Sequence, residues 1–323
     1  MNEGNSDKGD YSTKGIKAAN EILISAGTID IKAYDDAIHA NCETALENGA
    51  TPTGNVTISG GTVTVYSNDD GIHADKNVTI QNGEINIPTS YEGVEGESID
   101  ILGGTITLYA YDDGFNAAGG DYGEFTHPNA ADEDKYICIS GGSVTIDAQG
   151  DGVDSNGTVA LSGGTLVIFG PTNGGNGALD YQASFAVSGG TLIALGSRGM
   201  AQAPSTLSQP CISIYGNASE GSELSVRDSE GTELISIITP KAADSLIFST
   251  DKFKSGESYS IYADNTLLTT VTATDGVSGD GAKGGFGGFG DMGGFGGGRH
   301  NRPDEGDRTD MGTPPSDMGT PPV

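Results

Sequence analysis

Carboxylates recur at fixed places in this chain, at intervals of roughly 22 residues. The segments Asp35-Asp36-Ala37-Ile38-His39-Ala40, Asp69-Asp70-Gly71-Ile72-His73-Ala74, Asp112-Asp113-Gly114-Phe115-Asn116-Ala117 and Gly150-Asp151-Gly152-Val153-Asp154-Ser155 align on one another. The residue before the central Gly or Ala gives the column Lys14, Asp36, Asp70, Glu92, Asp113, Asp151, Gly177 and Arg198. Three residues on, the column reads Lys17, His39, His73, Glu95, Asn116, Asp154, Asp180 and Ala201, and two further on it reads Ala19, Asn41, Asp75, Glu97, Ala118, Asn156 and Gln182. Carboxylates stacked at the ordinary inter-strand spacing, about 4.8 Å, repel by roughly 3–4 kcal/mol at an effective dielectric of 20. Such a row either raises its pKa values or recruits cations. Hard oxygen ligands on turn backbones suit Ca2+, which gathers carboxylates, carbonyls and water. The candidate calcium ligands are Asp35, Asp36, Asp69, Asp70, Glu92, Glu95, Asp112, Asp113, Asn116, Asp151 and Asp154. The competing reading is turn chemistry alone, because Asp and Gly are favoured in turns. Glu92, Glu95 and Glu97 argue against it, since glutamate has no such preference and yet fills the same columns.

His39 and His73 share a column. With only two aligned rungs and acids all round, they read as surface or hydrogen-bonding groups rather than as a transition-metal site. Tyr34, Tyr66, Tyr91, Tyr109 and Tyr111 fall near the same turn, where an aromatic ring with a polar tip can stack on a sugar face or simply pack. Tyr91, Tyr111, Tyr122, His73 and Lys76 are the candidate sugar-contacting residues.

The elements that must position these groups follow from the rest of the repeat. Stretches of one type recur as Val56-Thr57-Ile58-Ser59-Gly60-Gly61-Thr62-Val63-Thr64-Val65, and again at 99–108, 137–146 and 159–168. Their apolar residues alternate, which puts each set on one strand face. Gly, Asn and Asp punctuate the joins, and no i, i+3, i+4 pattern runs through 11–215. Three strands per unit with a common inside predict an all-β fold, a right-handed parallel β-helix of about eight rungs. Ile16, Ile38, Ile72, Val94, Phe115, Val153, Leu179 and Met200 are expected to point inward, and the acidic columns outward. Residues 1–10 are expected to be disordered and 11–215 to form the helix. Residues 216–275, still β-rich, would cap its open end. Residues 276–323 are too rich in Gly and Pro to pack a core and are expected to be disordered. Two insertions, Asn41 to Gly54 and Gly119 to Tyr136, follow the acidic strand in two rungs and map to loops on one side.

Composition narrows the partners. The 323 residues carry a net charge of −30, with only 15 Lys and Arg against 45 Asp and Glu. A nucleic-acid binder needs basic surface, so DNA and RNA are poor candidates and no nucleic-acid partner is expected. No stretch is long and apolar enough to span a membrane. Cys42, Cys138 and Cys211 fall in rungs too far apart to bridge, and no Cys-x-x-Cys pattern occurs. The Asn-Val-Thr triplets at 55–57 and 77–79 read as repeat consensus at strand starts. The polar start after Met1 resembles that of a mature secreted protein, so an extracellular or cell-surface location and a monomer are expected.

The Asp-Asp-Gly-Ile-His-Ala and Ile-Ser-Gly-Gly-Thr-Val-Thr-Val repeats, followed by a β-rich end such as 231–262, resemble a family of secreted bacterial carbohydrate-binding proteins of clostridial type. The resemblance covers about 11–275. It implies the right-handed parallel β-helix of polysaccharide lyases, bound calcium, and binding of cellulose-like and acidic pectic polymers such as polygalacturonate without established lyase activity. The acids at 69–70, 112–113 and 151 match its repeat motif. Two enzymatic readings stand beside it. A pectate lyase on such a fold needs an Arg or Lys base, and rungs two to seven hold no arginine, leaving Lys76, Lys135 and the remote Arg198. A pectin hydrolase would use paired aspartates such as Asp112, Asp113 and Asp151, but its companion His-Gly and Arg-Lys motifs are missing. A surface adhesin or scaffold, with the Gly-rich tail mediating association, is a further alternative. The reading preferred is a non-catalytic, calcium-dependent module for pectin or cellulose.

Overall fold

A computed structural model describes residues 13–42, 49–117 and 134–284. Tyr122 and most of the two insertions lie outside the described residues. Among the described residues every regular element is a strand, and no helix is long and apolar enough to cross a membrane.

The strands form three parallel ladders. The first runs through Ile16–Ala18, Ile38–Ala40, the start of Ile72–Ile80, the start of Val94–Ile101, Phe115–Ala117, Val153–Ser155 and Leu179–Tyr181. The second runs through Glu21–Ile24, Asn55–Ile58, the ends of the two long strands, Tyr136–Ile139, Thr158–Leu161 and Ser184–Val187. The third runs through Thr28–Lys32, Thr62–Tyr66, Glu84–Thr89, Thr105–Ala110, Ser143–Ala148, Thr165–Phe169 and Thr191–Gly196. Seven rungs therefore supply all three ladders, and Thr206–Leu207 extends the second alone. The architecture is all-β and solenoid-like.

Register explains the core. Val63, Ile85, Ile106, Val144, Leu166 and Leu192 pair in one row. Ile22, Val56, Val78, Ile99, Ile137, Val159 and Phe185 form another. These rows and the first ladder's Ile38, Ile72, Val94, Phe115, Val153 and Leu179 belong to one buried cluster. Burying each such side chain stabilises by about 1.5–3 kcal/mol. The glycines of the repeat serve the stacking. A Cβ at Gly71 would lie 2.7 Å from the carbonyl oxygen of Gly93 in the next rung. Gly61 turns between ladders at φ 97°, a region that disfavours side chains.

Three expectations need correction. Met200 is 41 % exposed, not a core residue. The chain leaves the first ladder after Tyr181, and the last rung is closed instead by Ala203, Cys211, Ile247 and Ala282. The β-rich C-terminal part does more than cover an end. Ala243–Ser249 joins the third ladder antiparallel to Thr191–Gly196, and Cys211–Ala218 pairs on its other side. A four-stranded antiparallel sheet also packs on the outer face of that ladder, where Val167, Phe169, Ile193, Leu195 and the added strand's Phe248 meet Leu224, Val226 and Ile261. Finally, Val277–Ser278 pairs with Cys211–Ala218 and Ala203 bridges to Gly284, so the fold runs past the compositional boundary at Gly276. The three cysteines are free thiols.

Candidate metal and ligand site

The first ladder places the acidic columns side by side, and register confirms the alignment. His39 pairs with His73, His73 with Glu95, Glu95 with Asn116, Asn116 with Asp154, and Asp154 with Asp180. The columns do not stand out in solvent as expected. Asp36 is 2 % exposed, Asp70 0 %, His73 8 %, Glu95 8 % and Asn116 7 %. Charged groups crowded on one strand face shield one another, so an outward position becomes a buried one.

The aspartates of the column have backbone work as well. Asp36 Oδ1 accepts the N–H of Asp70 at 3.1 Å, Asp113 Oδ1 that of Asp151 at 2.6 Å, and Asp151 Oδ1 that of Gly177 at 2.6 Å. Each thus ties its rung to the next and leaves its second oxygen for another partner.

Rungs one to three supply that partner internally. Lys14 Nζ lies 3.1 Å from Asp35 Oδ1 and also binds Asp36 Oδ2. His39 Nδ1 lies 2.5 Å from Asp36 Oδ2. Burial works against the Asp36 carboxylate, yet His39 and Lys14 hold its pKa well below the ordinary range. His73 Nδ1 faces Asp70 Oδ2 at 3.0 Å and Glu95 Oε2 at 2.7 Å. Burial disfavours the imidazolium, but Asp70, Asp75 and Glu95 together push its pKa far up. The two imidazoles stack 4.3 Å apart at 8°. They are hydrogen-bonded groups, not surface ones.

In rung four, cations reach Glu95 and Glu97, and the other acids of rungs four to seven differ. Among the described residues no ion pair reaches Glu92, Asp112, Asp113, Asp151, Asp154 or Asp180. Asp113, Asp151 and Asp154 are half-buried, and each has an oxygen within 4.8 Å of the others. Burial, then neighbouring carboxylates, drives the Glu92, Asp113 and Asp154 pKa values well up, and burial pushes Asp151 to about 7. Asn116 donates its Nδ2 to Glu92 Oε2 at 2.9 Å, while its buried Oδ1 has no hydrogen-bond partner. An all-oxygen set with an orphaned carbonyl fits a hard cation such as Ca2+.

The sugar-contact candidates divide. Tyr91 is half-buried beside Asp112, and burial followed by that carboxylate raises its pKa. Tyr111 meets Tyr109 edge-on at 5.2 Å. Lys76 Nζ lies 2.7 Å from Glu97, and His73 is committed to the carboxylates around it. Asp69 is buried, grouped with Asp35 and Asp36 rather than with the later acids. Of the three conceivable lyase bases, Lys76 and Lys135 both pair with Glu97, and Arg198 pairs with Asp244 of the C-terminal part.

Two residues of the site stood in the aligned columns but were not among the candidate ligands. Asp75 Oδ1 lies 3.7 Å from His39 Nε2 and 3.4 Å from His73 Nε2. Asp180 extends the acidic column and accepts Gln202 Nε2 at 2.6 Å. The spacing Asp70-x-x-His73-x-Asp75 was the available signal, because on a strand the histidine and Asp75 share a face.

A family model described as carbohydrate-binding domain-containing protein matches residues 1–53 and 50–170, more than half of the chain. No curated protein and no solved structure matches it.

Proposed function

The chain belongs to the family of carbohydrate-binding domain-containing proteins, and from that premise we propose a non-catalytic, calcium-dependent binder of acidic plant cell-wall polysaccharide of the polygalacturonate class, built on a right-handed parallel β-helix and working outside the cell or at its surface. The observation that carries the calcium reading is the cluster Asp113, Asp151 and Asp154 beside the orphaned Asn116 Oδ1. Glu92, Asp113, Asn116, Asp151 and Asp154 would hold the ion, with Asp112 at the rim. Bound calcium supplies positive charge between two anionic surfaces, without which protein and polyuronate repel. Tyr91 and Tyr111 flank this stretch of the column and offer ring faces to a sugar chain. The pairing of Lys76, Lys135 and Arg198 with carboxylates favours binding over elimination, because each candidate base is already engaged by an acid of the protein.

The test is affinity for polygalacturonate with calcium and with a chelator, while following the absorbance of unsaturated uronate. Binding that needs calcium, with no rise in absorbance, is expected. Binding to cellulose that ignores the chelator would assign the tyrosines alone, and turnover would replace the reading with a lyase. The Asp112→Asn, Asp113→Asn double variant should keep the fold, since Phe115 and the strand Thr105–Ala110 are untouched, and lose calcium affinity by calorimetric titration.

A further inference from the structure

We propose that His39, His73 and Asp75 form a second metal site, for one borderline divalent cation such as Zn2+, distinct from the oxygen-only acids of rungs four to seven. Both histidines are already oriented as metal ligands usually are. Each gives its Nδ1 to a carboxylate: His39 to Asp36 at 2.5 Å, His73 to Asp70 at 3.0 Å and to Glu95 at 2.7 Å. A carboxylate behind the ring fixes the tautomer and raises the basicity of the opposite nitrogen. The opposite nitrogens, Nε2 of both rings, face one oxygen. Asp75 Oδ1 lies 3.7 Å from His39 Nε2 and 3.4 Å from His73 Nε2. Ligands about 2.0–2.1 Å from a tetrahedral zinc stand roughly 3.4 Å from one another. The Asp75 separations match that span. The rings are 4.3 Å apart and nearly parallel, so each must turn its Nε2 towards the Asp75 oxygen for both nitrogens to meet one ion. The third ligand is itself anchored, because the Cys42 N–H donates to Asp75 Oδ2 at 2.7 Å and leaves Oδ1 to the histidines.

The donor set separates this site from the first. Two imidazoles and one carboxylate suit zinc-like ions, whereas calcium prefers oxygen throughout. Three protein ligands leave a fourth position for water or for an oxygen of a bound molecule. The site would also pin rung two to rung three and to the start of the Asn41–Gly54 insertion through Cys42. The proposal stands whether or not the polysaccharide reading holds.

Co2+ is the probe, titrated into the full chain with calcium in excess so that the oxygen sites are filled. One equivalent should bind with the visible ligand-field bands of a four- or five-coordinate ion, and Zn2+ should abolish them. His39→Gln and Asp75→Asn should each remove the bands, while the Asp113→Asn, Asp151→Asn variant should keep them. Asp36→Asn, which removes the carboxylate behind His39 without touching a proposed ligand, should weaken Co2+ binding by about 10–100-fold while leaving the band positions unchanged. Should the better buried His73→Gln fail to fold, His39→Gln and Asp75→Asn still decide the matter. Bands that are absent, that survive loss of His39 and Asp75, or that vanish with the distal double variant would overturn the site.

Discussion

Rungs one to three and rungs four to seven carry the same column on the same backbone, yet their charge is balanced by different means. In the first region Lys14, His39 and His73 sit among Asp35, Asp36 and Asp70, and His73 also reaches Glu95 at the start of rung four. In the second, Glu92, Asp113, Asp151 and Asp154 face one another with raised pKa values and no cationic side chain among the described residues. The backbone hydrogen bonds of Asp36 and Asp113 are alike, so the fold does not set this difference. What sets it is the residue three positions on, a histidine in the first region, helped by Lys14 one rung before, and an acid or amide in the second. A stacked carboxylate with an internal cation is a structural element. The same carboxylate without one holds its proton more tightly or takes an external cation.

Neutralising an acid should therefore have opposite signs in the two regions. Asp36→Asn strands Lys14 and His39 and should cost about 3 kcal/mol, the scale for breaking a buried pair. Asp151→Asn, measured without calcium, should stabilise, because it removes repulsion. Chemical denaturation of both variants checks the contrast, and a destabilising Asp151→Asn would break it.

Calcium removal comes next. A ligand at a hundredfold excess over its Kd stabilises by about 2.7 kcal/mol, and Mg2+, which sheds water reluctantly, should do less. Amide exchange should place the protection at Glu92–Asp154 and leave Lys14–His39 unchanged. Equal protection along the whole column would show that the two regions are not distinct.

The dependence on pH should reverse with calcium. Asp151 titrates near 7 in the folded chain against about 4 unfolded. Between those values the folded state binds the extra proton, so calcium-free stability should rise as pH falls from about 7 towards about 4. With calcium bound, protons compete with the ion and stability should fall over the same interval. Asp36, depressed in the fold, contributes stability that disappears only below the ordinary carboxylate range. Thermal melts across pH, with calcium and with chelator, report both slopes.

The smallest effect belongs to the exposed Lys76, since its partner Glu97 keeps Lys135. Lys76→Ala should change stability by less than about 1 kcal/mol. A loss of polygalacturonate binding in that variant would place Lys76 at the polymer.

The sequence legibly carried the core of the first ladder, because an alternation with fixed period puts Ile38, Ile72, Val94, Phe115, Val153 and Leu179 on one row whatever surrounds them. It misplaced Met200, because the end of a repeat is decided by what docks there, and Ala203, Cys211, Ile247 and Ala282 come from far along the chain. The antiparallel addition of Ala243–Ser249 to Thr191–Gly196 left no local trace for the same reason. Within the site, the columns were readable but their burial was not. A single row of residue types says which side chains stack, while crowding depends on all three adjacent columns at once. Asp75 was visible in its column, yet its role emerged only from two nitrogens facing one oxygen.

Each aspartate that accepts the next rung's amide gives the chain a direction of growth. A finished rung presents an acceptor already aimed at the segment that follows it, so an emerging chain can zip from its beginning, one rung of neighbouring sequence at a time. Closure is of another kind. Lys241 reaches back to Asp147 at 2.7 Å and to the carbonyl of Ala148 at 2.6 Å, joining parts that only meet after some ninety residues have been laid down between them. Local contacts form fast and distant ones slowly. During synthesis the molecule would thus live for a time as an open-ended stack, its last edge bare, until the C-terminal strands arrive to latch it.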